Sequence, residues 1–305
     1  MIAADARQAL ATRFGERARF DVPMSRHTSL RIGGPADAFV TPLDRAELCE
    51  LLALCAEHGL PHTLLGAGFN LLIRDAGLAG VVVCLKKLRG LTLRPGPSVY
   101  AEAGVSHGSV TRFCVERGLT GLEFGAGIPG TVGGWIAMNA GIGVREQKDV
   151  VREIEIVTAD GDESIRLGRE ELDFRYRDLV GLPDGAVVVA ALFAVDESTT
   201  EAVREEVDRL LARRHATQPL DVPSCGSVFR NPEGDFAGRL IDRAGLAGER
   251  IGGAQISPVH ANFIVNLGGA RADDVLALIE LARERIRKTC GIELETEVRI
   301  LGRTT

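Results

Sequence analysis

Residues 223–232 read PSCGSVFRNP and set the thiol of Cys225 and the hydroxyl of Ser227 two positions apart, in a turn-like stretch between helix-like patterns. A nucleophilic serine needs an adjacent base, and no histidine stands beside this one. Whether the hydroxyl, the thiol or neither does chemistry stays open at this point, a turn residue satisfying backbone groups being the plain reading of an isolated serine. Arg177, in FRYRD, is a planar cation suited to holding a carboxylate, or else the partner of Asp173 or Asp178 in a surface ion pair. Glu297, in TEVR, is by itself an ordinary solvated carboxylate.

Glycine supplies a second kind of chemistry. Residues 125–130, GAGIPG, match the GxGxxG string of dinucleotide-binding Rossmann folds. That fingerprint, however, follows an apolar strand near the start of a domain and opens a helix. Here LTGLEF is a poor strand, Pro129 disturbs the turn, and the tract lies far along the chain. Its backbone N–H groups, unshielded by side chains and leading into TVGGWIAMNAG, still suit a pyrophosphate. GAGFNLL at 66–72 has the same character, and two such loops in one domain point to a dinucleotide.

The elements that must position these groups alternate between helix and strand. DRAELCELLALCAEH (44–58) predicts a helix capped by Asp44 and stopped at Gly59. Short strands are expected at 62–65, 80–85, 91–95 and 98–103, then a helix over SHGSVTRFCVERG. VVREIEIVTADGDESIRL alternates on both sides of Asp160-Gly161 and predicts a hairpin, which excludes a purely parallel sheet. A helix capped by Thr199 or Thr200 ends before Pro219. Beyond it come a small helix near 236–243, the strand NFIVN, a helix over 271–290 and a last strand TEVRIL.

Composition narrows the class. With 36 basic residues against 42 acidic, a net charge of -6 offers no electrostatic footprint for nucleic acid or an anionic membrane. The N-terminal stretch lacks an apolar core and no apolar run reaches spanning length, so a cytoplasmic protein without membrane insertion is expected. The six cysteines stand singly, which argues against zinc and disulfides and for a reducing compartment. Cys49, Cys55, Cys84, Cys114 and Cys290 are expected as small core residues.

TSLRIGGPAD, LGAGFNLLI, GLEFGAGIPGTVGGWIAMNAG, FRYRD, PSCGSVFRNP, AGLAGERIGGAQISPVHANFIVN and LETEVRILG occur in order over residues 28–302. Together they resemble the MurB flavoenzymes, the UDP-N-acetylenolpyruvoylglucosamine reductases of peptidoglycan precursor synthesis. The resemblance implies an α+β fold. An FAD-binding module of the vanillyl-alcohol-oxidase type, in two subdomains over 21–200, follows a helical segment at 1–20 and precedes a smaller substrate domain over 201–305. It implies noncovalent FAD and NADPH as hydride donor, a UDP-sugar substrate, and no obligate protein partner. The cofactor contacts it implies are Gly66, Ala67, Gly68, Phe69, Asn70 and Leu71 in the first loop, then Gly127, Ile128, Gly130, Thr131, Gly133, Gly134 and Asn139 in the second tract. Phe69 stands where the family usually has serine, and Leu179 where it often has serine after YRD. The interval after Arg177 is too short for the tyrosine loop of the longer family form, so the chain resembles the shorter form.

Reducing an enolpyruvyl ether puts hydride on the β carbon and a proton on the α carbon, through an enolate whose charge needs stabilising. A positioned hydroxyl can protonate that carbon, so a serine without a triad has a task. By resemblance Ser227 is the proton donor, Arg177 holds the substrate carboxylate and polarises the enolate, and Glu297 acts with the serine or helps position the enolate. Tyr176, Arg230, Asn231, Gln255 and His260 are expected at the substrate, a hydrogen-bonded histidine near a strand start being an equal reading of His260 and a buried aromatic an equal reading of Tyr176. Cys225 is expected to fill space in its turn, and Trp135 to pack rather than stack on flavin.

Overall fold

Helices begin where an apolar stripe meets a side chain able to take the first free N–H groups. In the computed structural model, which describes residues 2–304, α2 (Arg45–Glu57) starts at Asp44, whose carboxylate accepts from the Glu47 N–H at 2.9 Å. Helix α3 (His107–Arg117) is capped by Ser106 and stops at Gly118, whose φ of 60° suits a residue without Cβ. Thr199 rather than Thr200 caps α5 (Thr200–Thr217), accepting from Ala202 N–H at 3.2 Å.

The chain forms two compact units, and each takes discontinuous segments. The first comprises Met1–Phe20, Ala38–Ala67 and Gly80–Arg214; the second comprises Asp21–Asp37, Gly68–Ala79 and His215–Thr305. The sequence suggests consecutive divisions at 1–20, 21–200 and 201–305, and burial explains the difference. Leu30, Ile32 and Leu72 belong to the apolar core of the second unit. Leu10 and Phe14, on α1 (Ala4–Phe14), belong to a core of the first.

In the first unit a five-stranded antiparallel sheet runs in the order Ser164–Gly168, Val151–Val157, Val187–Ala194, Ser98–Glu102, Leu91–Arg94. Ile154, Ile156, Ala191 and Phe193 pack with Val110 and Cys114 of α3 and with Val132 and Ile136 of α4 (Val132–Ala137). Val157, Val187 and Val189 join a second core with Leu48, Leu51 and Leu52 of α2. Burial on both faces is why VVVAALFA reads as a continuous apolar run rather than an alternation. The expected hairpin forms, but its last pair is Val157 with Ser164. Asp160 accepts from the Thr158 hydroxyl at 2.6 Å and from Asp162 N–H at 3.2 Å, which rounds the tip into a six-residue loop.

The second unit holds an antiparallel sheet in the order Ser224–Ser227, Phe263–Asn266, Ala254–Ile256, Arg250–Ile251. Its core takes in Leu240 and Ile241 of α6 (Ala237–Arg243) and Val275, Leu278, Ile279, Ala282 and Ile286 of α7 (Ala272–Cys290). Each Leu or Ile so buried contributes about 1.5–3 kcal/mol of transfer free energy. The last strand, Arg299–Leu301, pairs in parallel with Leu71–Ile73. Cys55, Cys84 and Cys114 are buried as expected, Cys49 is half-buried, and Cys290 is exposed. The expectation of a core Cys290 fails because the apolar stripe of α7 ends at Ile286 and the thiol sits on the helix's last residue.

Candidate functional site

The two glycine tracts meet in the first unit. A Cβ on Gly66 would fall on the Thr131 hydroxyl, so the first loop passes Thr131 with room only for hydrogen. Gly133 closes on Ala103, where a Cβ would stand 2.9 Å from the alanine methyl, and its N–H donates to Ala103 O at 3.0 Å. Ile128 N–H turns back to Gly125 O at 2.8 Å, while Gly127 and Gly130 take φ of 77° and 117°. Gly127 and Gly134 are exposed. At Gly134 a Cβ would meet nothing within 4 Å, so the backbone there is open to close approach by a ligand.

Beneath the tract lies a ring pair that motif reasoning did not join. His107 and Trp135 are both buried, with ring centroids 3.3 Å apart, and Gly125 presses on both. Trp135 packs, as expected. Burial holds the His107 imidazole well below the usual histidine range, and the Arg214 charge acts in the same direction. Arg214 itself runs along Gly127, its Cδ 2.8 Å from where a Cβ would lie, and burial lowers its pKa. Neither residue carries a local signal; only the closed loop reveals them.

Arg177 and Tyr176 form the two-residue tip of a hairpin between Asp173–Arg175 and Asp178–Val180. Arg177 has φ of 57°, and its guanidinium reaches Glu146 Oε1 at 3.4 Å and Gly141 O at 3.3 Å. Asp173, one of the two partners in the alternative surface-pair reading, pairs with Arg175 at 2.8 Å. Tyr176 is exposed, its ring 4.9 Å from the Arg177 guanidinium carbon, so the buried-aromatic reading fails. Leu179 pairs with Phe174 and packs at the edge of the core.

Asn139 is held within the first unit. Its side chain is fully buried; Nδ2 donates to Glu146 Oε2 and Arg175 O, both at 2.9 Å, and Oδ1 accepts from Lys148 N–H at 3.0 Å. Both amide hydrogens are used inside the fold, so the side chain holds the Arg177 hairpin.

In the second unit the rest of the first loop is tied to the strand of Ser227. Gly68 has φ of 78°, and its carbonyl accepts from Ser29 N–H at 2.9 Å. Asn70, at φ 56°, donates its N–H to Cys225 O at 3.1 Å and its Nδ2 to Glu297 O at 3.2 Å. Leu71 pairs with Arg299, and Phe69 is left exposed. Glu297 N–H donates to Val228 O at 2.8 Å and Phe229 bridges Thr296, so Ser227 and Glu297 lie on adjoining segments of one ladder. Ser227 is half-buried, whereas Cys225 is buried and its thiol is pushed up to about 12 by desolvation.

The remaining substrate candidates are engaged locally. Arg230 lines a cavity of about 700 Å³ with Arg283, Arg287 and Thr296. Asn231 Oδ1 accepts from Ala237 N–H at 3.1 Å at the start of α6. Gln255 donates to Gly248 O at 2.9 Å. His260 Nδ1 accepts from Asn262 N–H at 3.3 Å beside Phe263, and burial lowers its pKa, as the hydrogen-bonded reading anticipates. Among the described residues no cluster of metal-ligating side chains occurs, and no helix is long and apolar enough to cross a membrane.

Two family profiles match the chain: the UDP-N-acetylenolpyruvoylglucosamine reductase C-terminal domain over residues 218–301 and an FAD binding domain over 36–164. A UDP-N-acetylenolpyruvoylglucosamine reductase of Geobacter metallireducens is 49% identical over 92% of this chain and 93% of its own. That of Geotalea uraniireducens is 43% identical over 98% of each. The crystal structure of the Thermus caldophilus reductase superimposes with a TM-score of 0.80 at 35% identity, covering 93% of this chain and 99% of that one. A glucose oxidase variant, Phl p 4, shares the fold alone, with a TM-score of 0.50 and 14% identity over 64% of this chain and 44% of its own.

Proposed function

The chain belongs to the UDP-N-acetylenolpyruvoylglucosamine reductase family, and on that premise we propose how its residues reduce the enolpyruvyl ether of UDP-N-acetylglucosamine to UDP-N-acetylmuramate. The carrying observation is the closure of Gly66 on Thr131, which brings two glycine loops together inside the segment matched by an FAD binding domain. The fit to the FAD pyrophosphate is supported by the close packing of the loops through Gly66 and Gly133 and by the open space at Gly134, where a Cβ would meet nothing within 4 Å. FAD held against these loops would supply hydride transfer from NADPH to the substrate's double bond.

The chain's own residues handle charge and the proton. Arg177 holds the substrate carboxylate and stabilises negative charge as the enolate develops. Ser227 gives its hydroxyl proton to the α carbon, and Glu297, on the adjoining ladder segment, acts with it. Cys225 is buried while Ser227 on the same strand is half-buried, which supports the hydroxyl rather than the thiol as the donor. Tyr176 and Arg230 meet the substrate. All six cysteines are free, which supports a reducing, cytoplasmic setting. The ligands are small molecules, and the net charge of -6 favours neither nucleic acid nor an anionic membrane.

Stopped-flow absorbance of the two half-reactions tests the assignment. Ser227→Ala should leave flavin reduction by NADPH intact and slow reoxidation by the enolpyruvyl sugar about 10²–10⁴-fold. Ser227→Cys should fall between alanine and wild type. Equal slowing of both half-reactions would make Ser227 structural.

A further inference from the structure

We propose that Glu146 is the positioning residue of Arg177, a reading that rests on Arg177 as the holder of the substrate carboxylate. Glu146 lies on a short ladder, paired with Gly141, and its side chain is 14% exposed against 19% for Arg177. One carboxylate oxygen, Oε2, receives the Asn139 amide and the Lys148 ammonium, both at 2.9 Å. The Asp149 N–H closes a capping box on the same side chain, and the Glu146 N–H returns a bond to the Asp149 carboxylate at 2.8 Å. Three protein donors therefore fix the group from its own side of the site. Oε1 faces Arg177 Nη1 at 3.4 Å, while Gly141 O takes Nη2 at 3.3 Å.

Two features make this an orienting contact and not mere neutralisation. A carboxylate that consumed the guanidinium would sit in a close, bidentate fork near 2.8 Å. The contact between Glu146 and Arg177 is long and made by one oxygen, and Lys148 offsets the carboxylate's charge, so this pair orients the guanidinium more than it neutralises it. Anchors on two different nitrogens, both from the 141–146 ladder, also set the plane of a rigid group. The Asn139 amide then ties the Glu146 carboxylate to Arg175 O, on the hairpin that carries Arg177, so carboxylate and arginine backbone share one buried brace. Gly141 has to be glycine for the ladder to close, because a Cβ there would stand 2.7 Å from Glu146 Cα.

The test is a double-mutant cycle on FAD-loaded enzyme with a binding readout. Glu146→Gln should retain FAD, melting temperature and the rate of flavin reduction by NADPH. It should weaken calorimetric affinity for UDP-N-acetylmuramate and slow reoxidation by the enolpyruvyl sugar, each by roughly 10-fold to 100-fold, the scale of a small misplacement. In an Arg177→Met background the same change should cost nothing further. Equal loss in both backgrounds, or no loss in the wild-type background, overturns the proposal while leaving Arg177 in place. If Arg177→Met itself changes neither affinity nor reoxidation, the arginine assignment falls and takes the proposal with it. Should Glu146→Gln fail to fold, Glu146→Asp keeps the charge but shortens the arm. It should show the same selective loss of product affinity, and unchanged affinity would overturn the proposal.

Discussion

At Cys225 and Ser227 two protic groups stand two positions apart, and solvent decides between them. Cys225 lies in the core of the second unit, where removing the thiolate from water raises its pKa to about 12. Ser227 stays half-buried on the same strand and keeps contact with solvent. Replacing Cys225 by serine should therefore cost stability, about 1–3 kcal/mol for a hydroxyl placed in an apolar site. Turnover of the folded fraction should remain close to wild type. Chemical denaturation and steady-state assays on one preparation separate the two, and a loss of turnover by orders of magnitude would transfer the chemistry to the thiol.

The two glycine loops work by exclusion of side chains, and Gly66 shows it in its simplest form. Its φ is not in the left-handed region, so a side chain there meets no backbone strain. The obstacle is the Thr131 hydroxyl alone, since the Thr131 Cβ would stand at an ordinary 3.5 Å. Gly66→Ala should push the loops apart and release FAD during purification, an expected loss of at least about 10-fold in affinity on the scale of overpacking a tight site. Thr131→Ala added to it removes the colliding oxygen and should recover part of the bound FAD, read by flavin absorbance per protein. Full retention by the single variant, or no recovery by the double, would show that the contact does not shape the cradle.

Across the whole molecule acid acts through desolvated histidines. Burial lowers the pKa of His107 and His62 in the first unit and of His260 in the second. The unfolded chain binds these protons near the ordinary value of about 6.5, so between that value and the lower folded one it carries more protons than the native state. Stability is full above about pH 6.5 and is lost as pH falls through the folded values. His107, wedged against Trp135 and near the Arg214 charge, has the largest downward displacement. Thermal melts from pH 8 to 5 should show a smaller acid-induced drop for His107→Gln than for wild type; parallel curves would remove His107 as a source.

What could be read along the chain was what neighbours decide. Asp44, Ser106 and Thr199 each cap a helix whose free N–H groups lie three residues away, and the apolar stripe from Val275 to Ile286 marks the buried face of α7. The ordered strings from TSLRIGGPAD to LETEVRILG likewise marked the family and its cofactor. The tertiary structure decided the pairings that no spacing announces. Asp75 caps α7 from 197 residues away, accepting from Ala272 N–H at 3.1 Å. Glu146 faces Arg177, and Asn139 turns inward to brace them. The segments 21–37 and 68–79 leave their neighbours for the second unit. The physical reason is range: capping and periodicity are set by steric and hydrogen-bond rules within a turn or two of chain. Which distant carboxylate meets which arginine depends on the packing that buries the most apolar surface while satisfying every buried polar group, and that is a property of the folded whole.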